Sequence, residues 1–334
     1  MDNKLGWWHG IAAGDIDLDG DIDYVVTNQG LNTKYHTSVE HPHRLYYDDF
    51  DQNGSLDLVE AEFEGDTEYP VRGRSCSSRC MPFIADKFPT FHDFSQASLS
   101  DIYETDSTKR SYHEVNILES VLLRNNGDGT FETEILDRMS QASPGYGVAI
   151  EDFDFDGKPD VLVANNFFGS QPETGYMDGG LSLLMKGNGD GKVDSLWPSA
   201  SGISVSGDAN GLAIADFDND GDADAMFAVN NEPYRLFRND SAAKPALTIR
   251  VEGSGGNAQA IGARILLQGK SQMRAIELSA GGSYLSQSAI DGIRVARAEL
   301  DQLESIKVQW PDGTQTETNP NEAKDGKLTL RSAP

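Results

Sequence analysis

Four short segments of the chain place carboxylates at the same spacing around one glycine, in the pattern Asp-x-Asp-x-Asp/Asn-Gly-x-x-Asp. These motifs begin at Asp15, Asp49, Asp152 and Asp216. The side chains at positions 1, 3, 5 and 9 are Asp in every motif, with the single exception of Asn53. A pattern of this length that occurs four times indicates a shared chemical task.

The spacing suits a hard divalent cation. Calcium takes six to eight oxygen ligands at about 2.3–2.6 Å, and alternating carboxylates let one short loop wrap around such an ion. Glycine at position 6 permits the sharp bend, and position 7 supplies its main-chain carbonyl. The sequence therefore predicts about four Ca²⁺ sites. The predicted ligands, from positions 1, 3, 5, 7 and 9, are Asp15, Asp17, Asp19, Asp21, Asp23, Asp49, Asp51, Asn53, Ser55, Asp57, Asp152, Asp154, Asp156, Lys158, Asp160, Asp216, Asp218, Asp220, Asp222 and Asp224.

Without an ion, the carboxylates of one loop would repel one another across a few ångströms. We therefore expect the loops to loosen in chelator. The alternative interpretation is a set of acidic turns that hold no metal.

The EF-hand is a rival calcium motif, which shares positions 1 to 9 but ends in a bidentate Glu at position 12 and is flanked by helices. Position 12 is here Val26, Glu60, Val163 or Phe227, so only the second motif could close in that way. Short apolar runs, largely β-branched or aromatic, follow position 9 in the motifs. Such runs predict buried strands instead of helices.

Asn- and Gly-rich turns recur along the chain at residues 124–131, 187–191 and, in a shortened form, 236–240. Asn-Gly and Asp-Gly pairs between apolar runs favour hairpins because both residues tolerate positive φ. A repeated unit of calcium loop, strand and hairpin predicts β-propeller blades. Residues 65–118 interrupt this repeat with locally helical sequence, including a helix predicted near 95–103. An insertion of this size is a candidate for ligand contact.

From about residue 244 the motifs stop and apolar residues alternate with polar ones, as in 246–251 and 305–310. This alternation predicts an antiparallel β-sandwich over residues 244–334. Trp310 is expected in its core, and the segment 281–284 is expected to form a tight turn, with a ligand cradle as the alternative. The predicted fold class is thus all-β, with a partial β-propeller over residues 1–243 followed by the sandwich.

Charge and cysteine content exclude several classes of protein. The chain has 54 acidic and 27 basic residues, a net charge of −27. This charge repels phosphate backbones and anionic headgroups, so neither nucleic-acid binding nor membrane insertion is expected, and no run of 18 apolar residues occurs. Two cysteines, Cys76 and Cys80, are too few for a disulfide framework. Free thiols are the expectation, and a local disulfide is the alternative.

The segment Ile214-Ala-Asp216-Phe-Asp218-Asn-Asp220-Gly221 resembles a blade of the FG-GAP or VCBS repeat proteins. Segments 261–264, 278–288 and 308–313 resemble the ASPIC/UnbV domain, and the two together resemble the cartilage-acidic-protein-like family. The resemblance implies a secreted or periplasmic calcium-binding propeller of the seven-bladed type, followed by a β-sandwich, with no established catalytic activity. Four motifs supply only some of the blades of a closed ring and no signal peptide precedes them, so we expect the C-terminal part of a longer protein.

No Gly-x-Ser-x-Gly elbow, Walker loop or His-Glu-x-x-His motif occurs in the sequence. His36, His41 and His43 could form a transition-metal site with Glu40, but ordinary loop histidines are the expectation. We therefore expect no catalytic residues and no organic cofactor. The expected function is a non-catalytic extracellular or periplasmic scaffold, adhesion or ligand-recognition module that binds a protein or a polysaccharide.

The alternative function is a calcium-dependent polysaccharide-binding protein, or a polysaccharide-acting enzyme, with its site in the insertion. Tyr69, Phe88 and Phe91 of the insertion could stack on sugar rings, as could Trp7 and Trp8. Acids outside the calcium loops, such as Glu62 or Glu64, would then carry the chemistry.

Overall fold

The structure is a computed structural model that describes residues 3–103, 111–172, 174–288 and 292–332. Strands dominate it. In chain order the strands are β1 (Gly10–Gly14), β2 (Asp23–Thr27), β3 (His43–Asp48), β4 (Asp57–Glu64), β5 (Thr67–Pro70), β6 (Ser111–Val115), β7 (Val121–Asn125), β8 (Phe131–Ile135), β9 (Gly145–Glu151), β10 (Asp160–Asn165), β11 (Leu183–Gly187), β12 (Val193–Ser195), β13 (Ala209–Ala215), β14 (Asp224–Val229), β15 (Arg235–Phe237), β16 (Leu247–Glu252), β17 (Arg264–Gly269), β18 (Met273–Glu277), β19 (Ile293–Val295), β20 (Leu303–Gln309), β21 (Gln315–Thr318) and β22 (Lys327–Arg331).

The described helices are short. They are α1 (Arg74–Cys80), α2 (Phe83–Lys87), α3 (Phe91–Ser95), α4 (Leu99–Tyr103), α5 (Pro198–Ser201) and α6 (Arg297–Leu300). None of the helices in the described ranges has both the length and the apolar character needed to cross a lipid bilayer.

The chain divides into two compact units. One comprises the described parts of Met1–Trp7 and Thr33–Leu118, and the other those of Trp8–Asn32 and Glu119–Pro334. We call them the inserted unit and the main unit.

Three antiparallel sheets form the N-terminal part of the main unit. Sheet A has the order β1-β2-β7-β8, sheet B the order β12-β11-β10-β9, and sheet C the order β13-β14-β15. In each sheet a calcium motif joins the first two strands in chain order, because Asp23, Asp160 and Asp224, at position 9 of their motifs, begin β2, β10 and β14. Strands therefore follow the motifs, as predicted, and the EF-hand alternative is wrong.

Sheet B packs between the other two sheets. Val161 and Val163 of β10 share an apolar cluster with Val25 of sheet A, while Leu162 shares one with Phe227 of sheet C. All six residues of β10 are buried. A strand covered on both faces needs a continuous apolar run, which explains why this segment does not alternate.

The inserted unit interrupts sheet A. Strand β2 pairs with β7, Val26 opposite Val121, so the intervening chain leaves the sheet and returns to it. The second motif lies in this inserted chain, where Asp57 begins β4 of a separate sheet with the order β5-β4-β3-β6. The interruption is therefore wider than the predicted 65–118, because the inserted unit takes in the chain from Thr33 and so includes the second motif.

Helices α1 to α4 cover one face of the inserted sheet, where Tyr46 and Ala61 share a buried cluster with Ile84, Phe94 and Ile102. The helix predicted near 95–103 corresponds to the end of α3 and to α4. The chain is consequently mostly β, and the all-β prediction is too strict for this unit.

The C-terminal part of the main unit, which we call the C-terminal domain, packs sheet D (β19-β16-β22) against sheet E (β18-β17-β20-β21). Ile249, Ile265, Ile306 and Trp310 lie in its core. The prediction of a purely antiparallel sandwich is wrong in one pairing, because β16 and β22 are parallel. The chain passes through sheet E, returns to sheet D as the antiparallel β19 and crosses sheet E again. Its third strand in sheet D, β22, therefore runs in the same direction as β16.

Candidate metal centres

The four motifs adopt one backbone conformation. Position 6, which is glycine in every motif, has φ between 87° and 101°. Position 4 is also left-handed, with φ between 56° and 63°, although it is Leu18, Gln52, Phe155 or Asn219. Non-glycine residues adopt this conformation at a cost in free energy, so the surrounding contacts must hold the loop in place.

The position-1 carboxylate organises each loop from within. It accepts hydrogen bonds from the main-chain amides of positions 5 and 6, with N···O distances of 2.8–3.2 Å. The acceptors are Asp15, Asp49, Asp152 and Asp216. These bonds fix the orientation of the carboxylate within its loop.

The position-9 carboxylate ties the loop to its sheet. In all four loops it accepts a hydrogen bond from the amide of position 2, at 2.8–3.1 Å. In sheets A, B and C it also accepts one from the hairpin that follows, donated by Asn125, Gly187 or Asn239 at 2.8–2.9 Å. The sequence predicts these hairpins but not this contact. The recurrence of a hairpin after the motifs is the signal in the sequence that points to it.

The position-5 side chain completes the pattern. It accepts a hydrogen bond from the amide of position 7 in every loop, at 2.7–3.3 Å. The acceptors are Asp19, Asn53, Asp156 and Asp220, and the donors are Asp21, Ser55, Lys158 and Asp222. The carbonyl groups of these four donors are the predicted main-chain ligands.

Three carboxylates converge in each loop, with ligand atoms that all lie within 4.8 Å of one another. Among the described residues these are the groups of three or more His, Cys, Asp and Glu that could hold a metal ion. They are Asp15, Asp17 and Asp19; Asp49, Asp51 and Asp57; Asp152, Asp154 and Asp160; and Asp216, Asp218 and Asp224. The predicted ligands Asp23, Asp156 and Asp220 lie outside these clusters and accept the hydrogen bonds described above.

The chemistry of these loops fits a calcium ion. Burial raises the pKa of Asp15, Asp152 and Asp160 to about 7, and the pKa of Asp17 to about 6. The Oδ1 atom of Asp17 is buried and has no hydrogen-bond partner among the described residues. Desolvated, crowded carboxylates with unused lone pairs suit a hard cation, and an all-oxygen donor set favours calcium over transition metals.

Two lysines already place positive charge beside these carboxylates. The Lys186 ammonium contacts Asp154 and lies 3.0 Å from Asp156 in the third loop. In the fourth loop, Lys244 lies 2.6 Å from Asp220 and contacts the buried side chain of Asp222. Each ammonium offsets part of the repulsion that a divalent ion would remove more completely.

The histidines near the start of the inserted unit pair with carboxylates. His41 lies 3.3 Å from Asp66, and the buried His43 lies 3.1 Å from Glu60. The hydrogen bond from His43 lowers the pKa of Glu60. A carboxyl group held ionised in this way is poorly suited to act as a general acid.

The cysteines and aromatic residues of the insertion have separate positions. Cys76 and Cys80 are free and exposed, at either end of one turn of α1. Phe88 packs edge-on against Phe94 at 5.9 Å, whereas Phe91 is 65% exposed. Of the two predicted stacking residues Phe88 and Phe91, Phe91 is therefore the one whose ring is available to a ligand.

The sequence predicts Trp310 in the core of the C-terminal domain, and a tight turn or a ligand cradle at residues 281–284. Trp310 is 2% exposed and belongs to the core, as expected. The Ser283 hydroxyl accepts a hydrogen bond from the Val148 amide at 2.6 Å and donates one to the Val148 carbonyl at 3.1 Å. The segment 281–284 therefore contacts sheet B, and its expected role as a simple turn is incomplete.

A cavity of about 560 Å³ lies where sheets A and B face the C-terminal domain. Asp15, Asp152, Arg274 and Arg294 are among the residues that line it. Arg274 lies 3.3 Å from Glu299 and donates a hydrogen bond to the Arg294 carbonyl at 2.8 Å. The arginine side chain thus helps to hold the C-terminal domain together at the wall of the cavity.

Comparison with known protein families agrees with this arrangement. Residues 253–333 match the family model described as ASPIC and UnbV, residues 98–163 match an FG-GAP-like repeat, and residues 144–184 match an FG-GAP repeat. No curated protein matches the chain. The third loop lies within the matched residues, and the other three loops, outside them, share its hydrogen bonds.

The raised pKa values make the metal-free protein sensitive to pH. A carboxyl group whose pKa is higher in the folded than in the unfolded chain stabilises the fold fully below the unfolded value of 3.8. That contribution is lost as the pH rises through about 7. We expect the free energy of unfolding in chelator to fall less steeply between about pH 4 and pH 7 in Asp152→Asn than in the wild type. Urea unfolding measures it, with Asp240→Asn as an exposed control, and equal slopes would contradict the expectation.

Removal of the Lys186 charge should strengthen calcium binding at the third loop. The ammonium competes with the ion for Asp154 and Asp156, and exposed ion pairs contribute about 0.2–1 kcal/mol. We expect Lys186→Met to tighten one site by up to about fivefold in a calorimetric titration. Lys192→Met, at an exposed lysine of the same hairpin, is the matched control. Weaker binding in Lys186→Met than in the control would count against the assignment.

Proposed function

We propose that this chain, which carries FG-GAP repeats and a C-terminal ASPIC/UnbV domain, is a calcium-binding, non-catalytic recognition module of an extracellular or periplasmic protein. Its partner is a protein or a polysaccharide. Sheets A, B and C correspond in this proposal to propeller blades, each with one calcium loop between its first two strands.

The observation that carries the proposal is the identical hydrogen bonding of the four loops. Positions 1, 5 and 9 make the same hydrogen bonds within each loop, although the residues between them differ. Such repetition supports a structural ion in each loop, because every loop brings three carboxylates within 4.8 Å of one another.

The location follows from the expected affinity. Three of the loops lack the Glu at position 12 that closes an EF-hand, and in the second loop Glu60 pairs with His43 instead. Extracellular calcium modules bind with dissociation constants of about 10⁻⁴–10⁻³ M. Ions would occupy such sites where calcium is abundant, which favours the exterior or the periplasm over the cytosol. Free thiols at Cys76 and Cys80 are compatible with this placement, since two cysteines build no disulfide framework.

The recognition surface is proposed on the inserted unit. Its sheet exposes Leu45 and Leu58 on the face that also carries Tyr47 and His113, whose rings stack at 5.2 Å. Apolar and aromatic side chains on an exposed sheet face are typical of binding surfaces. The net charge of −27 disfavours anionic partners such as nucleic acid.

Thermal unfolding tests the calcium role. A site held at ten times its dissociation constant adds about 1.4 kcal/mol of stability, so several sites should raise Tm by several degrees. We expect Tm to rise with calcium, to rise little with magnesium, and to fall in chelator. Asp160→Ala should lose part of the rise, whereas Asp194→Ala, at an exposed residue of β12, should retain it. A Tm indifferent to calcium and to chelator would contradict the proposal.

A second candidate function is cleavage of a polysaccharide by the inserted unit. It is favoured by one observation, that Glu62 lies directly opposite the half-buried Tyr69 across β4 and β5. A ring beside a carboxylate is an arrangement that sugar-binding sites use.

Incubation with a glycan panel in calcium distinguishes the two candidates. The proposed recognition module is expected to release no products. Cleavage that is lost in Glu62→Gln or Glu64→Gln, and retained in Asp66→Asn at the neighbouring turn, would establish the enzyme instead.

A further inference from the structure

The edge strand of the C-terminal domain lies directly on the first calcium loop. The Met273 amide of β18 donates a hydrogen bond to the Leu18 carbonyl at 3.0 Å. The Ala275 amide donates one to the Asp15 carboxylate at 2.8 Å. Strand β18 is the outer strand of sheet E, and these amides are therefore the ones that its own sheet leaves unpaired.

Asp15 is the position-1 residue of its loop, and its Oδ2 atom accepts this bond in addition to one from the Gly20 amide at 2.9 Å. The equivalent oxygen of Asp49 accepts the corresponding bond from Gly54 of its own loop at 2.8 Å. The first loop thus has the common hydrogen bonds of the motif and one more, donated by a strand about 260 residues later.

Two arginines of the C-terminal domain bind the bends of two loops. Arg264 of β17 donates a hydrogen bond to the carbonyl of Gly20 at 2.6 Å and lies 3.4 Å from Asp21. Arg294 of β19 donates one to the carbonyl of Gly221 at 3.1 Å. Both acceptors are position-6 glycines, so the arginines contact the residue at which the loop turns around its ion.

A third set of contacts does not involve the loops. Ser286 accepts a hydrogen bond from the Leu212 amide at 2.8 Å, and Ser288 accepts one from the Ile214 amide at 3.1 Å. Together with Ser283 on Val148, these serines bind the edge strands of sheets B and C. The serines hold the C-terminal domain against the sheets. The contacts of β18 and of the two arginines, by contrast, depend on the conformation of the loops.

We propose that calcium binding to the first loop and docking of the C-terminal domain on the sheets stabilise each other, so that this domain is part of the calcium site's support. The proposal rests on the proposed function, because it requires that the loop bind calcium. It goes further because it makes Asp15 both a calcium ligand and an acceptor for the C-terminal domain, and makes Ala275 and Arg264 donors that stabilise the loop.

The physical reason is that both partners need the same loop conformation. Without the ion, the carboxylates of Asp15, Asp17 and Asp19 repel one another and the loop opens. Opening moves the Asp15 carboxylate and the Gly20 carbonyl away from Ala275 and Arg264, so the contacts weaken. By linkage, a docked C-terminal domain must raise the calcium affinity of the loop by the same factor.

Hydrogen exchange of the intact chain tests one direction of this coupling. We expect exchange in a peptide covering β18 to be slower in calcium than in chelator, on the order of tenfold, because a bond to a charged acceptor is at stake. Asp15→Asn should abolish this response. Asp49→Asn, the same substitution at the same position of the second loop, should leave it intact.

Calorimetry of Arg264→Ala tests the other direction without altering any ligand. One calcium site should weaken on the order of tenfold while the others keep their affinity. Arg331→Ala, which removes an exposed arginine paired with Glu252 in the same domain, should change none of them.

The outcomes separate this inference from the proposed function. If the wild type binds calcium but β18 exchange does not respond, or if Asp15→Asn and Asp49→Asn behave alike, the coupling is wrong and the calcium role stands. Unchanged sites in Arg264→Ala would also overturn the coupling. If the wild type binds no calcium, both fail.

Discussion

Three aspartates held within 4.8 Å of one another inside a nine-residue loop repel one another unless a cation lies among them. This repulsion is the constraint on which the rest of the structure depends. The main-chain amides of positions 5 and 6 offset part of it, and lysines offset more in the third and fourth loops. A divalent ion among the carboxylates offsets more of this repulsion than either, and the loop therefore couples metal binding to local folding.

The loops transmit that constraint to their surroundings. Position 9 begins the second strand of each sheet and holds the hairpin through Asn125, Gly187 or Asn239, so loop, strand and hairpin form one hydrogen-bonded unit. The C-terminal domain adds a longer connection, since its contacts reach Asp15, Gly20 and Gly221. A change in one short loop can thus affect the sheet behind it and the domain docked upon it.

Local patterns in the sequence predicted the local structure well. The motif geometry, the strands that begin at position 9 and the buried Trp310 all follow from residue spacing and alternation over a few residues. The chemistry of the candidate site was equally visible, because its donors lie within nine consecutive residues.

Long-range pairing could not be read in the same way. Nothing near Val26 indicates that its partner is Val121, so the inserted unit was predicted to be narrower than it is. The parallel pairing of β16 with β22 depends on how the chain crosses between two sheets, which alternation does not report. The contact of Ala275 with Asp15 is made by a main-chain amide. Because nearly every residue type carries such an amide, the identity of residue 275 does not indicate the contact.

The central claim is that the four loops are calcium sites, and counting the bound ions tests it most directly. Native mass spectrometry of the chelator-stripped chain, titrated with calcium, gives the number of ions per chain without an assumption about their effect on stability. The expected result is stepwise addition of about four calcium ions, with one fewer when Asp216 is replaced by Ala. A folded chain that takes up no calcium at millimolar concentration, or an Asp216→Ala variant that takes up as many ions as the wild type, would contradict the account.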